Sequence, residues 1–157
     1  MNQLDIAKKC AAAMYDADTA SKGLGISVEV TGVGQAEARV EVSPNMTNGL
    51  DVCHGGFIFS LADTAFAYAC NTYDKVTYAG SASIDFLRPA KAGDQLVAVA
   101  TERYRGGRSG VYEVTVTNQN GEEVAVFKGR SMAMRQSLVS GDKSIYDTEK
   151  LENSRKA

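Results

Sequence analysis

The chain has 157 residues, enough for one domain with its own core and too few for two ordinary ones. Hydrophobic residues make up 44% and charged residues 23%, with 17 basic against 19 acidic side chains and a net charge of −2, which argues against a nucleic-acid or general polyanion partner. The single histidine, His54, excludes a multi-histidine metal site within one chain, and three cysteines without a CxxC pair suit reduced thiols in a cytoplasm better than a disulfide framework. No apolar run approaches the ~20 residues of a membrane span, and the start of the chain has no signal-peptide pattern, so a cytoplasmic protein with no membrane partner is expected.

Leu4, Ile6, Ala7, Cys10, Ala11 and Met14 recur at helical spacing, which predicts an amphipathic helix over 3–18, broken by Lys22-Gly23-Leu24-Gly25. The period then changes to two. Ile26, Val28 and Val30 alternate with polar residues, and so do Ala36, Ala38, Val40 and Val42, predicting a hairpin joined at Gly32 and Gly34. A loop of turn formers, 44–53, leads into His54-Gly55-Gly56. From Phe57 to Cys70 the only charge is Asp63, and neither Gly nor Pro interrupts the run, which predicts a helix buried on almost every side.

Four strands are predicted after it, over 76–87, 95–104, 111–118 and 123–134. The first puts Val76, Tyr78, Ala82, Ile84 and Phe86 on one face, and Asn120-Gly121 is a strong hairpin signal before the last. Residues 136–157 turn polar and read as a loose tail with a helical turn near 146–151; residues 1–135 then form the single domain. Short hairpin links imply an antiparallel sheet, and an all-apolar helix needs a large cover, so the fold class is α+β with the sheet curled round that helix.

Asp63 is the first candidate for chemistry. A lone carboxylate in an apolar helix either lies on an exposed seam, is held by backbone groups, or works. His54-Gly55-Gly56 is the second: it opens the helix, where the first N–H groups lack intrahelical partners and suit an oxygen gaining negative charge, or it only permits close packing with His54 as a cap. Asp63 follows Gly55 by eight residues, about 12 Å along one helix at about 1.5 Å per residue. Both groups reach one reacting centre only if they come from different chains, which requires a homodimer. A Cys53–His54 nucleophile is a weaker reading, since adjacent residues seldom form a catalytic pair. Arg103, Arg105 and Arg108 around a Gly-Gly turn read as a solvated turn or a phosphate contact. No dinucleotide fingerprint is present.

The stretch His54-Gly55-Gly56-Phe57-Ile58-Phe59-Ser60-Leu61-Ala62-Asp63-Thr64-Ala65-Phe66-Ala67 resembles the helix of hotdog-fold acyl-CoA thioesterases, closest to the phenylacetate-degradation family. Ser83-Ile84-Asp85-Phe86-Leu87-Arg88-Pro89-Ala90 resembles the strand that follows, and Gly129 with Met132 its last strand. The resemblance implies a hotdog fold, a six-stranded antiparallel sheet wrapped round 54–71, assembled as dimers that pair into a homotetramer. It implies hydrolysis of an arylacetyl-CoA (phenylacetyl or hydroxyphenylacetyl) or related medium acyl-CoA, with no cofactor beyond the CoA of the substrate and no metal. Asp63 matches the catalytic carboxylate, as nucleophile or base; Gly55 matches the donor to the thioester carbonyl, with Gly56 beside it; His54 supports that loop; Asn48 matches a polar residue that orients water or carbonyl. Thr77, Ser81 and Ser83 are the candidates for a water-orienting hydroxyl, and Arg88, Arg108 and Ser109 for CoA phosphates. Phe57, Phe59 and Phe66 line the acyl pocket or fill the core. Two rival readings on the same fold are an enoyl-CoA hydratase or dehydratase with His54 as base, and a non-catalytic acyl-CoA-binding module.

Overall fold

The computed structural model describes residues 1–146. Helix α1, Gln3–Ala17, starts where Asn2 and Asp5 cap each other's backbone N–H groups, a reciprocal capping box. The break expected after it is a second short helix, α2, Thr19–Leu24. Asp18 makes it: its carboxylate accepts from the N–H and hydroxyl of Ser21 at 2.9 and 2.6 Å, so the residue that ends one helix starts the next. Gly25, left-handed at φ 74°, ends α2.

Strands β1 (Ser27–Gly32) and β2 (Gln35–Glu41) form the expected hairpin. A single turn of 3₁₀ helix, Pro44–Met46, and a loop lead to α3, Gly55–Cys70. Then follow β3 (Thr77–Phe86), β4 (Gln95–Gly106), β5 (Ser109–Thr117) and β6 (Glu123–Ala133). All pairs are antiparallel, in one six-stranded sheet of order β1-β2-β4-β5-β6-β3. This is the α+β hotdog arrangement the resemblance implies, with α3 across the inner face of the sheet.

Alanine sets how close that helix comes. In the β2–β4 register Ala36 faces Ala100 and Ala38 faces Ala98, and all four are fully buried with Ala62, Ala65 and Ala69 of α3. Methyl groups on both sides let the helix rest low on the sheet. Phe66 uses a further gap: a Cβ at Gly129 of β6 would lie 2.8 Å from its ring.

Strand β3 breaks the expected face pattern. Its pairing with β6 slips between Ala79 and Ser81, so Gly80 is an extra residue and the alternation changes parity there. A side chain at Gly80 would have to push the Arg130 guanidinium aside, since a Cβ there would lie 2.7 Å from it. Ala82, Ile84 and Phe86 therefore face inward as expected, while Tyr78 faces outward opposite Met132 and is 61% exposed.

The segment expected to be a loose tail begins as packed structure. Leu138 is 2% exposed and shares a small cluster with Cys10 of α1 and Val76. Asp74 latches it: its carboxylate accepts from the N–H groups of Leu138 and Val139 at 3.1 and 2.9 Å. Burial pushes the Asp74 carboxyl up, but hydrogen bonds from the Ser140 hydroxyl and from the backbone of Val139, Leu138 and Ser140 outweigh it and hold the carboxyl below its usual range. The helical turn expected over 146–151 lies, beyond Tyr146, outside the described residues. Leu138→Ala is expected to cost about 2–5 kcal/mol in denaturant unfolding, the range for a buried leucine. A loss below about 0.5 kcal/mol, as for an exposed side chain, would mean that the segment is not docked in solution.

Candidate active site at the start and middle of the central helix

The loop before α3 is a small closed hairpin. Thr47 bridges Cys53, Asn48 N–H donates to Val52 O at 2.8 Å, and Asp51 takes the left-handed turn at φ 60°. Two further backbone bonds anchor its end, His54 N–H to Met46 O and Cys53 N–H to Ala90 O, both 2.7 Å. The direction in which α3 sets off is thus fixed from two sides.

His54 is the N-cap. Its Nδ1 accepts from Gly56 N–H at 2.8 Å, and its carbonyl accepts from Phe57 N–H at 3.0 Å. Gly56 carries no side chain at the point where a Cβ would lie 3.0 Å from that Nδ1. A neutral imidazole that accepts at Nδ1 carries its proton on Nε2, so neither nitrogen is free to act as a base. Gly55, the first helical residue, is left with an N–H that no group among the described residues accepts. An unpartnered N–H at the positive end of a helix dipole is a site for an oxygen that gains charge.

Helix α3 is buried on all but one stripe. Gly56, Phe59, Ser60, Asp63, Thr64 and Ala67 follow one another at helical spacing and stay partly or fully exposed. Asp63 lies in the middle of that seam. Neighbouring hydroxyls do not serve it: Ser60 donates to Gly56 O and Thr64 to Ser60 O. Its carboxyl is pushed above the ordinary value of 3.8 by desolvation alone, with no opposing hydrogen bond or cation among the described residues. A half-buried carboxylate without a structural partner is in the state expected of a working acid or base.

Most of the other expected site residues are held by contacts within this chain. Ser81 and Ser83 pair with Arg130 and Lys128 on the outer face of the sheet, alternating with inward-facing Ala82 and Ile84, so within this chain neither reaches the helix seam. Thr77, before the bulge, donates its hydroxyl to Lys75 O. Asn48 Oδ1 accepts from Leu50 N–H at 2.9 Å, closing the loop. Arg88 pairs with Glu122 at 2.9 Å rather than standing free, an exposed contact that solvent screens. Arg108 and Ser109 do border a cleft, with Lys75, Arg105, Tyr112 and Ser131, next to Cys70 at the far end of α3. Arg105 lies 3.6 Å over the Tyr73 ring, and Arg103 meets Glu113 at 3.6 Å.

Of the three phenylalanines, Phe66 is core at 1% exposure and Phe59 packs edge-on against Phe127. Phe57 borders an apolar cavity of about 10 Å³, room for one water and no acyl group. Burial pushes the Cys53 thiol up, away from the thiolate a nucleophile needs. Among the described residues no group of three or more His, Cys, Asp or Glu is placed to hold a metal, and no helix is long and apolar enough to cross a membrane. Phe86 carried no site signal in the sequence; its place beside Gly55 depends on the β3 bulge and on packing across the chain.

The thioesterase superfamily model matches residues 50–125, the span that holds Gly55, Asp63 and strands β3 to β5. The acyl-coenzyme A thioesterase PaaI of Escherichia coli (strain K12) is 47% identical over 119 residues, 76% of this chain and 85% of that protein. The chain belongs to the thioesterase superfamily. The solved structure of the E. coli PaaI protein from the phenylacetic acid degradation operon superposes on it with a TM-score of 0.83, at 44% identity, covering 85% of this chain and 96% of the other. A thioesterase-fold neighbour from Streptococcus mutans, solved bound to acetyl CoA, matches at TM-score 0.66 and 27% identity over 69% of this chain and 88% of its own.

Proposed function

We propose that the chain hydrolyses the thioester of arylacetyl-CoA, of phenylacetyl or hydroxyphenylacetyl type, to the free acid and CoA. The observation that carries this is that α3 holds both a Gly55 N–H and an Asp63 carboxylate without partners among the described residues. The 47% identity to a named acyl-coenzyme A thioesterase supports the substrate class. Gly55 N–H donates to the thioester carbonyl oxygen and stabilises the negative charge it gains. Asp63 either attacks the carbonyl carbon, expelling CoA thiolate and leaving an anhydride that water opens, or takes a proton from the water that attacks. Burial helps the second route, because a raised pKa makes a better base. Nothing but the CoA of the substrate is needed as a cofactor.

Along one helix the two groups stand about 12 Å apart. We therefore assign each site Gly55 from one protomer and Asp63 from its partner. Strand β3 supports this assembly. It is a ten-residue strand at the sheet edge and is exposed along nearly its whole length. Such an edge invites pairing with a second copy. A pairing of two dimers through the outer sheet face is in keeping with a groove of about 370 Å³ that presents Asp85 and Glu113 beside Lys128, charges of both signs suited to a self-complementary contact. The three free thiols fit a cytoplasmic protein.

His54 speaks against the hydratase reading, since its Nδ1 is committed to the cap. A thiol-trapping dye with a panel of acyl-CoAs tests the proposal. Thiol release is expected, fastest with phenylacetyl-type esters. Hydration of crotonyl-CoA without thiol release, or tight acyl-CoA binding without turnover, would replace it with one of the two rivals.

A further inference from the structure

Phe86 ends β3 on its inner face, opposite Ala125, yet it is 53% exposed. The other inner aromatics are not: Phe66, Tyr112 and Phe127 are buried. Its ring points at the start of α3. A Cβ built on Gly55 would lie 3.0 Å from the ring's Cζ and 3.3 and 3.5 Å from Cε1 and Cε2. The ring tip therefore rests against the Cα of the residue whose N–H has no partner. Leu87 beside it is also half exposed, and among the described residues β3 has no neighbour on that side of the sheet.

A carbonyl bound at Gly55 N–H carries its substituents within a few ångströms of that nitrogen. One is the sulfur and the other is the acyl carbon, and both pass close to the Phe86 ring. A flat acyl group gains most from such a wall. Edge-to-face or offset packing of two rings adds about two- to twelvefold in affinity beyond area burial, whereas a linear chain gains area burial alone. The glycine at 55 also takes on a second purpose, since a Cβ there would press on the ring tip and push it aside by a few tenths of an ångström.

We propose that Phe86 is the residue that selects the acyl group, its ring being the aromatic wall against which an arylacetyl group packs while the thioester carbonyl sits on Gly55 N–H. This rests on the thioesterase reading above. The test is kcat/KM for phenylacetyl-CoA and hexanoyl-CoA in the full chain, in Phe86→Leu and in Phe86→Tyr, with oligomeric state followed by sedimentation. Phe86→Leu is expected to lower the phenylacetyl value about five- to tenfold, mostly through KM, and the hexanoyl value by less than about threefold. Phe86→Tyr keeps the ring and is expected to keep the wild-type ratio within about twofold. Equal losses on both esters in Phe86→Leu would place the ring against the shared CoA portion or the subunit contact and overturn the proposal. So would a Tyr variant whose ratio collapses, which also decides the matter if the Leu variant does not fold. Wild-type turnover with an unmoved ratio in Phe86→Leu overturns the selector role alone; no wild-type thiol release overturns the thioesterase reading as well.

Discussion

Asp63→Asn is expected to lower kcat on phenylacetyl-CoA by at least about 100-fold, the lower end of what acid–base catalysis contributes. The amide has nearly the shape of the carboxylate but neither attacks nor takes a proton. The fold is expected to survive, and the sign of the stability change is part of the prediction. Desolvation raises the Asp63 pKa above 3.8, so the folded state holds this proton more tightly than the unfolded chain does. Below the unfolded value the acid is neutral in both states and costs nothing. As pH rises through the folded value the charge must be carried in a half-buried place, and the protein loses stability. At pH 7 that whole cost is present in the wild type and absent in Asp63→Asn. The variant is therefore expected to match or exceed the wild-type Tm at pH 7, with the difference closing toward pH 3. Near-normal turnover would sink the assignment of Asp63. A clear fall in Tm would mean that the carboxylate holds a structural bond, which the geometry does not contain.

The second large effect comes from Gly55. Its N–H is the proposed donor, and proline is the substitution that deletes a backbone N–H. Position 55 is the first residue of α3, where proline is well tolerated, and His54 before it already has the extended backbone, φ −60° and ψ 131°, that a following proline requires. The added Cβ would lie 3.0 Å from the ring tip of the half-exposed Phe86, which must give by a few tenths of an ångström. Loss of one such donor costs about 10²–10³ in kcat. Gly55→Pro and Asp63→Asn are thus each expected to be nearly inactive for different reasons. Coexpressed with different tags and purified as the mixed dimer, they are expected to recover about half of the wild-type turnover per dimer, because one of the two sites then holds a good donor and a good acid. A mixed dimer as inactive as its parents would show that donor and acid do not come from different chains.

Much of this was legible in the residue order. The apolar run after His54-Gly55-Gly56 is unambiguous as a helix, since only Asp63 interrupts it, and that interruption is what marks the acid. The strand alternation over 27–41 and 109–133 needed no tertiary information. What escaped depends on single residues whose effect is felt only across the chain. Gly80 shifts the parity of β3, and with it the face of Tyr78; nothing within 76–87 distinguishes a bulged glycine from a regular one. Asp18 reads as a helix end and is also a helix start. Leu138 sits in polar sequence, and its burial depends on a carboxylate 64 residues earlier. Arg88 reads as free until Glu122 is seen beside it. The seam on α3 was open as one of several readings, and only the packing of the sheet decides which stripe stays uncovered.

The methyl-on-methyl contact between α3 and strands β2 and β4 acts as a height gauge. Gly55 and Asp63 ride on the same rigid rod, so a larger side chain at Ala36, Ala98 or Ala65 would lift donor and acid together and leave their spacing within the chain unchanged. In the proposed dimer the two groups that meet come from opposite rods related by a twofold axis. Lifting each rod by the same small amount moves the donor of one and the acid of the other in opposite senses wherever the displacement has a component across that axis. The misalignment at the reacting carbon is then twice that component, and seven buried alanines of the helix–sheet contact set the tolerance of the chemistry.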